Sequence, residues 1–132
     1  MAHHCKYFIA HCIDFRFGRA IKDYLEKEGL LGDCDIVSVA GGVKNSDFLL
    51  EQLDISVNLH KVQEVRLMNH IDCGAYGGSG KFSSFEEERA FQIEEMKKAK
   101  SLIIQKYPSL AVKTILAKIQ PSGEVIFESI NA

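Results

Sequence analysis

Residues 6–29 read KYFIAHCIDFRFGRAIKDYLEKEG, and two periodicities meet inside them. KYFIAHCI (6–13) is a short β-rich run. FGRAIKDYLEKEG (17–29) instead puts Phe17, Ala20, Ile21, Tyr24 and Leu25 on one helical face and stops at Gly29. Strand followed by helix is a unit, and the unit recurs. DIVSVA (35–40) predicts a second strand; after Gly41 and Gly42, Leu49, Leu50, Leu53 and Val57 repeat at helical spacing behind a cap at Asn45 or Ser46. EVRLMNH (64–70) predicts a third strand. The glycine-rich IDCGAYGGSGKFS (71–83) then leads to Ser84 and Glu87, a capping-box signature for a long helix carrying Ile93, Met96, Ala99 and Ile103 and ending before Pro108. AVKTILAKI (111–119) is a fourth strand, and PSG turns the chain into EVIFES (124–129), an antiparallel edge strand. The expected class is α/β: a mostly parallel sheet of order 2-1-3-4 plus an antiparallel C-terminal edge strand, flanked by helices.

With 132 residues, 46% of them hydrophobic, the chain fits one domain spanning 1–132 that buries roughly two-thirds of its unfolded surface. Sixteen basic against eighteen acidic residues leave a formal charge of −2, with no basic block and no aromatic-plus-basic stripe, so nucleic acid is not an expected partner. No apolar run approaches the roughly 18 residues that span a bilayer, and the N-terminus has neither a charged nor an apolar leader region. A cytoplasmic protein without membrane contact is expected. His3 and His4 read as readily as the remnant of an expression tag as native residues, and are left out of the site.

Four cysteines in a core-rich chain without an export signal point to free thiols or metal ligands rather than disulfides. Cys5 and Cys34, at segment edges, read as incidental thiols. Cys12 and Cys73 do not. In doubly wound sheets functional groups gather beyond the carboxyl ends of the strands, where the winding reverses. Cys12 lies at the end of strand one, and His70 and Cys73 at and just past the end of strand three, its neighbour in a 2-1-3-4 order. Two thiols and an imidazole match the ligand preference of zinc, and H-x-x-C spacing lets both side chains turn back onto one ion. Three protein ligands leave a position for water, the mark of a catalytic site.

CIDFR (12–16), followed by HIDCGA (70–75), resembles the C-x-D-S-R and H-x-x-C-G signatures of the beta-class carbonic anhydrases. The likeness extends over most of the chain: VAGGV (39–43) stands at the family's Ala-Gly loop, and KTILAKIQPSGEVIF (113–127) looks like its closing strand pair. It implies that Cys12, His70 and Cys73 hold one Zn2+ per chain, that Asp14 and Arg16 form the family's catalytic pair, and that a zinc-bound hydroxide hydrates CO2 reversibly to bicarbonate. It also favours a homodimer, as does an exposed sheet edge. The chemistry of the pair agrees. Asp14, two residues beyond Cys12 in an extended segment, would lie on the ligand's side and reach the fourth position; Arg16 can hold that carboxylate in a bidentate fork and keep it off the metal.

The chain reads as a short, divergent member of that family. Phe15 replaces a small hydroxyl residue and would change the wall of the site. The Arg and Asn that commonly flank the Ala-Gly are absent, Asn69 stands where a glycine often precedes the histidine, and no glutamine matches the one that often lines the CO2 pocket. Two alternatives stay open: a zinc protein without hydration activity, its site closed by Asp14, or a hydrolase of another small linear electrophile such as carbon disulfide. AYGGSGKF (75–82) is no phosphate loop, since Ala75 and Phe82 occupy two of its fixed points. CIDFRFGR lacks the glycine-rich anion cradle of a thiol phosphatase. Asp72 is expected to brace its loop, His11 to be a strand residue and His60 to lie on a helix face.

Overall fold

The strand with partners on both sides positions everything else. In the computed structural model, which describes residues 3–131, β1 (Tyr7–His11) pairs in parallel with β2 (Cys34–Ser38) on one side and β3 (Glu64–His70) on the other. Residues 1, 2 and 132 of the expected domain lie outside the described residues. β3 pairs in parallel with β4 (Ala111–Ile119), and β4 antiparallel with β5 (Val125–Ile130), giving the order β2-β1-β3-β4-β5 expected from sequence.

Alternation along the buried strands divides the core into two layers. Phe8 and Ala10 of β1, with Val65 and Leu67 of β3, face the layer formed by Leu49 and Leu53 of α2 (Ser46–Ile55) and by Met96, Ala99 and Ile103 of α3 (Phe85–Lys106). Ile9, Met68, Ile115 and Ala117 face the other way, against Ile21 and Leu25 of α1 (Gly18–Lys27) and against Phe17 just before it. Each of these buried side chains contributes about 1.5–3 kcal/mol relative to exposure, so the i, i+4 row Phe17, Ile21, Leu25 is enough to fix α1 to the sheet.

The caps decide where the helices begin. Asn45, not Ser46, caps α2 by accepting the Phe48 N–H at 3.1 Å. Ser84 caps α3 through the Glu87 N–H at 3.1 Å, while the Glu87 carboxylate reaches back to Ser83 rather than closing the reciprocal box on Ser84. Val57, expected within the second helix, falls in a π turn (Ser56–His60) that continues α2 and ends at Lys61, whose φ is +57°. β1 is shorter than the eight-residue run that suggested it: the Val39 N–H bonds the His11 carbonyl at 2.9 Å, and the chain then leaves the sheet. Cys12 is thus the first residue beyond the strand.

Candidate metal centre

Beyond His11 the chain makes one extended step and then a tight turn. Asp14 caps the 3-10 turn Phe15–Phe17, its Oδ1 accepting the Arg16 N–H at 2.9 Å. The turn folds the Arg16 guanidinium back over the same carboxylate: Nε lies 3.0 and 3.2 Å from Oδ1 and Oδ2, and Nη2 lies 2.6 Å from Oδ2. Simple strand alternation, expected to set these two residues, is replaced by a capped turn that leaves Asp14 facing the same cluster. Arg16 also crosses to the second motif, donating through Nη1 to Asp72 Oδ2 at 3.0 Å and through Nη2 to the Asp72 carbonyl at 2.8 Å.

Cys12, His70 and Cys73 are all buried, and one donor atom from each lies within 4.8 Å of the other two. The sulfurs are 3.9 Å apart. Two thiolates sharing one tetrahedral zinc at about 2.3 Å sit about 3.8 Å apart, so the pair is spaced for an ion without rearrangement. His70 Nδ1 lies 2.8 Å from the Ile71 carbonyl, which makes it the donor nitrogen and turns the Nε2 lone pair inward. Nε2 is buried with no hydrogen-bond partner, and Asp14 Oδ2 lies 3.7 Å from it. An unpaired buried acceptor costs about 1–3 kcal/mol, and a cation would satisfy it. The donor set fits zinc.

Electrostatics point the same way. Cys12 loses its proton before its partner: the hydrogen bond from Cys73 lowers it most, burial opposes, and His70 and the Gly41 N–H, 3.4 Å from the sulfur, assist. The same bond and burial hold Cys73 above the ordinary thiol range. Burial works against charge on His70, but the contacts to Cys12 and Ile71 outweigh it and raise its pKa. Any proton these donors hold would be displaced by a divalent cation, so binding of the ion is coupled to proton release. Arg16, above all through its side-chain hydrogen bonds, holds the Asp14 carboxyl down at about 2.

Several positions that depart from the sequence signatures acquire a role. Asn69 Oδ1 accepts the Val43 N–H at 3.2 Å and Nδ2 donates to Gln92 Oε1 at 2.7 Å, tying the loop after β2 to β3 and α3. That loop must be glycine: a Cβ on Gly42, at φ +64°, would lie 2.5 Å from Asn69 Oδ1. Phe15, expected to alter the wall of the site, is 90% exposed. Asp72 braces its loop as expected, accepting the Ser79 N–H at 2.8 Å at a φ of +63°. Sequence reasoning missed buried Glu88, which accepts the Asp72 N–H and the Ser79 hydroxyl, both at 2.7 Å; an acid one turn into α3 reads as a favourable helix-dipole residue and nothing more.

Residues 2–125 match the model of a family described as "Putative carbonic anhydrase". An uncharacterized protein of Rickettsia bellii (strain RML369-C) is 28% identical over 129 residues, covering 89% of this chain and 79% of its own. Among solved structures, the carbonic anhydrase from Streptococcus mutans superposes with a TM-score of 0.69 at 20% identity, over 98% of this chain and 84% of that one. The beta-carbonic anhydrase CafA of Aspergillus fumigatus gives 0.68 at 16% identity, over 98% and 76%. One of two tetrameric beta-carbonic anhydrases from Sordaria macrospora gives 0.69 at 11% identity, over 99% and 83%. By family match and by fold alike, the chain belongs to the carbonic anhydrases, as a member with the beta-class fold.

Proposed function

We propose that residues 1–132 form one zinc domain that reversibly hydrates CO2 to bicarbonate, with Cys12, His70 and Cys73 holding one Zn2+ per chain and Asp14 and Arg16 acting in the reaction. The observation that carries this reading is the unpaired, inward-facing His70 Nε2 beside a carboxylate that Arg16 already engages. A zinc ion held by these donors would acidify a water, bringing its pKa from about 15.7 towards about 7 so that its proton passes to solvent before attack, and would place a positive charge near the developing product. Asp14 stays ionised at neutral pH, so Oδ2 acts only as an acceptor; it takes a hydrogen bond from the nucleophilic water and aims its lone pair at the CO2 carbon. Arg16 keeps Asp14 from turning onto the metal, and Asp72 holds Arg16 from its far side. The Gly41 N–H steadies the Cys12 sulfur. Bicarbonate leaves by exchange with water.

Ile13 and Phe15, 60% and 90% exposed on either side of Asp14, support a homodimer in which a second copy covers the mouth of the site and excludes water. All four cysteines are free, which agrees with a cytoplasmic location, and among the described residues no helix is long and apolar enough to cross a membrane. One observation favours a second reading, a zinc protein without turnover: Asp14 Oδ2 at 3.7 Å from Nε2 is close enough to become the fourth ligand. The carbon disulfide alternative rests on Phe15, which is exposed in the single chain, so no observation favours it.

Stopped-flow CO2 hydration from mildly acidic to alkaline pH, with zinc quantified in the same sample, tests the proposal. Turnover that rises with pH and disappears on chelation is expected. A zinc-loaded chain inactive throughout that range overturns it in favour of the second reading.

A further inference from the structure

A second cluster of donor atoms lies at the opposite end of the sheet. Cys5 precedes β1, Asp35 is the second residue of β2, and His60 closes the π turn that leads to β3, so all three sit at the amino ends of the strands. One donor atom from each lies within 4.8 Å of the other two, and all three residues are half-buried. Asp35 Oδ2 is the hub. It accepts from Ser56 Oγ at 2.6 Å and lies 2.7 Å from His60 Nδ1, while the Cys5 thiol faces the same carboxylate and makes a long contact to the Tyr7 carbonyl at 3.7 Å. The Cys5 N–H bonds the His60 carbonyl at 3.1 Å, so the segment before β1 and the end of the π turn are already held together. A cavity of about 250 Å³ lined by His4, Cys5, Lys6, Asp33, Lys61 and Gln63 opens the Cys5 side of the cluster to solvent.

We propose that Cys5, Asp35 and His60 form a second divalent-cation site, independent of the centre at Cys12, His70 and Cys73 and selective for zinc-like ions. Sulfur, imidazole nitrogen and carboxylate oxygen together suit a borderline ion that accepts mixed donors, and disfavour calcium and magnesium, which demand oxygen. The site comes from three separate segments of chain. A local helix deformation supplies one of them, and π turns recur at functional positions. Its role is a clamp: the ion joins the N-terminal segment to β2 and to the approach to β3, 30 residues and more away in sequence, without touching CO2 chemistry.

The probe is zinc itself, added to the full chain and counted by native mass spectrometry after removal of loosely held metal. Two ions per chain are expected, falling to one in the Cys5→Ser/His60→Gln double variant with CO2 hydration unchanged. A zinc count no lower in the double variant than in the parent would overturn the proposal, whatever the centre at Cys12, His70 and Cys73 holds. A measurement on the unmodified chain guards against a variant that fails to fold: zinc should slow alkylation of Cys5 by N-ethylmaleimide at least tenfold relative to chelated protein while leaving Cys34 unaffected. Equal alkylation of Cys5 with and without zinc would also sink the site. Neither result depends on hydration activity, so failure here and failure of the carbonic anhydrase reading are separable.

Discussion

Replacing Arg16 by alanine should uncouple metal binding from turnover. The pull of Arg16 on Asp14, which lowers the carboxyl from 3.8 to about 2, corresponds to about 2.4 kcal/mol at 1.36 kcal/mol per pH unit. Asp14 is 14% exposed and Arg16 34%, so solvent screening reduces the usable part to about 1–2 kcal/mol. Released, Asp14 has little distance to travel: its Oδ2 is 3.7 Å from His70 Nε2, and oxygen and nitrogen sharing a tetrahedral zinc at about 2.0–2.1 Å lie about 3.3 Å apart. The expected result is at least a tenfold loss of CO2 hydration with the zinc content of this centre unchanged. Cobalt substituted for zinc should report a changed fourth ligand in its visible spectrum. Arg16→Lys should recover part of the loss, since an ammonium keeps the charge but not the fork. An Arg16→Ala chain that hydrates CO2 within twofold of the parent would refute the argument that Arg16 holds Asp14 off the metal.

Cys73→Ser or His70→Ala should each remove one zinc per chain in a chelator competition, because a site reduced to two protein donors cannot hold the ion tightly; full retention would exclude that residue from the ligand set. Asn69→Ala should destabilise the chain by about 3 kcal/mol in urea denaturation, since it strands the buried Gln92 Oε1 and the Val43 N–H together. Asp54 is held below its ordinary value first by Lys106 and then by Tyr107, so its contribution is fully present above pH 3.8 and is lost as pH falls below that value. The pair is exposed enough to limit that contribution to about 1 kcal/mol, and thermal melts of Asp54→Asn should differ from the parent at pH 7 but converge with it near pH 2. Phe15→Ser should shift the oligomer towards monomer in sedimentation at micromolar concentration, and an unchanged distribution would remove Phe15 from the interface.

The sheet was legible because its strands obey simple rules. β1 opens with the apolar run Tyr7–Ala10 and β4 carries Ile115–Ala117 between turn signals, and the helices repeat their apolar residues at 3.6 spacing, so the class followed from the alternation of strand and helix. Cys12, His70 and Cys73 could be brought together on paper because adjacent parallel strands end at the same level. What stayed hidden depends on side-chain reach across distant segments. Glu88 acts on Asp72 from sixteen residues away, and nothing local distinguishes it from Glu86 or Glu87. The 3-10 turn at Phe15–Phe17 was invisible because Phe-Arg-Phe carries no turn residues; the Asp14 side chain caps it through the Arg16 N–H. Cys5 looked incidental for the same reason, since its neighbours come from residues 35 and 60.

The two sulfurs of the centre are separated by 61 residues of chain and meet only because β1 and β3 are laid side by side. Closing a loop of that length in an unfolded chain costs about 3.7 kcal/mol beyond a constant, so the donors do not assemble before the sheet does. Retention of an ion by these donors would then be a gauge of folding. A substitution at the remote β4–β5 edge, touching no donor atom, should still release metal at a chelator concentration that the parent withstands.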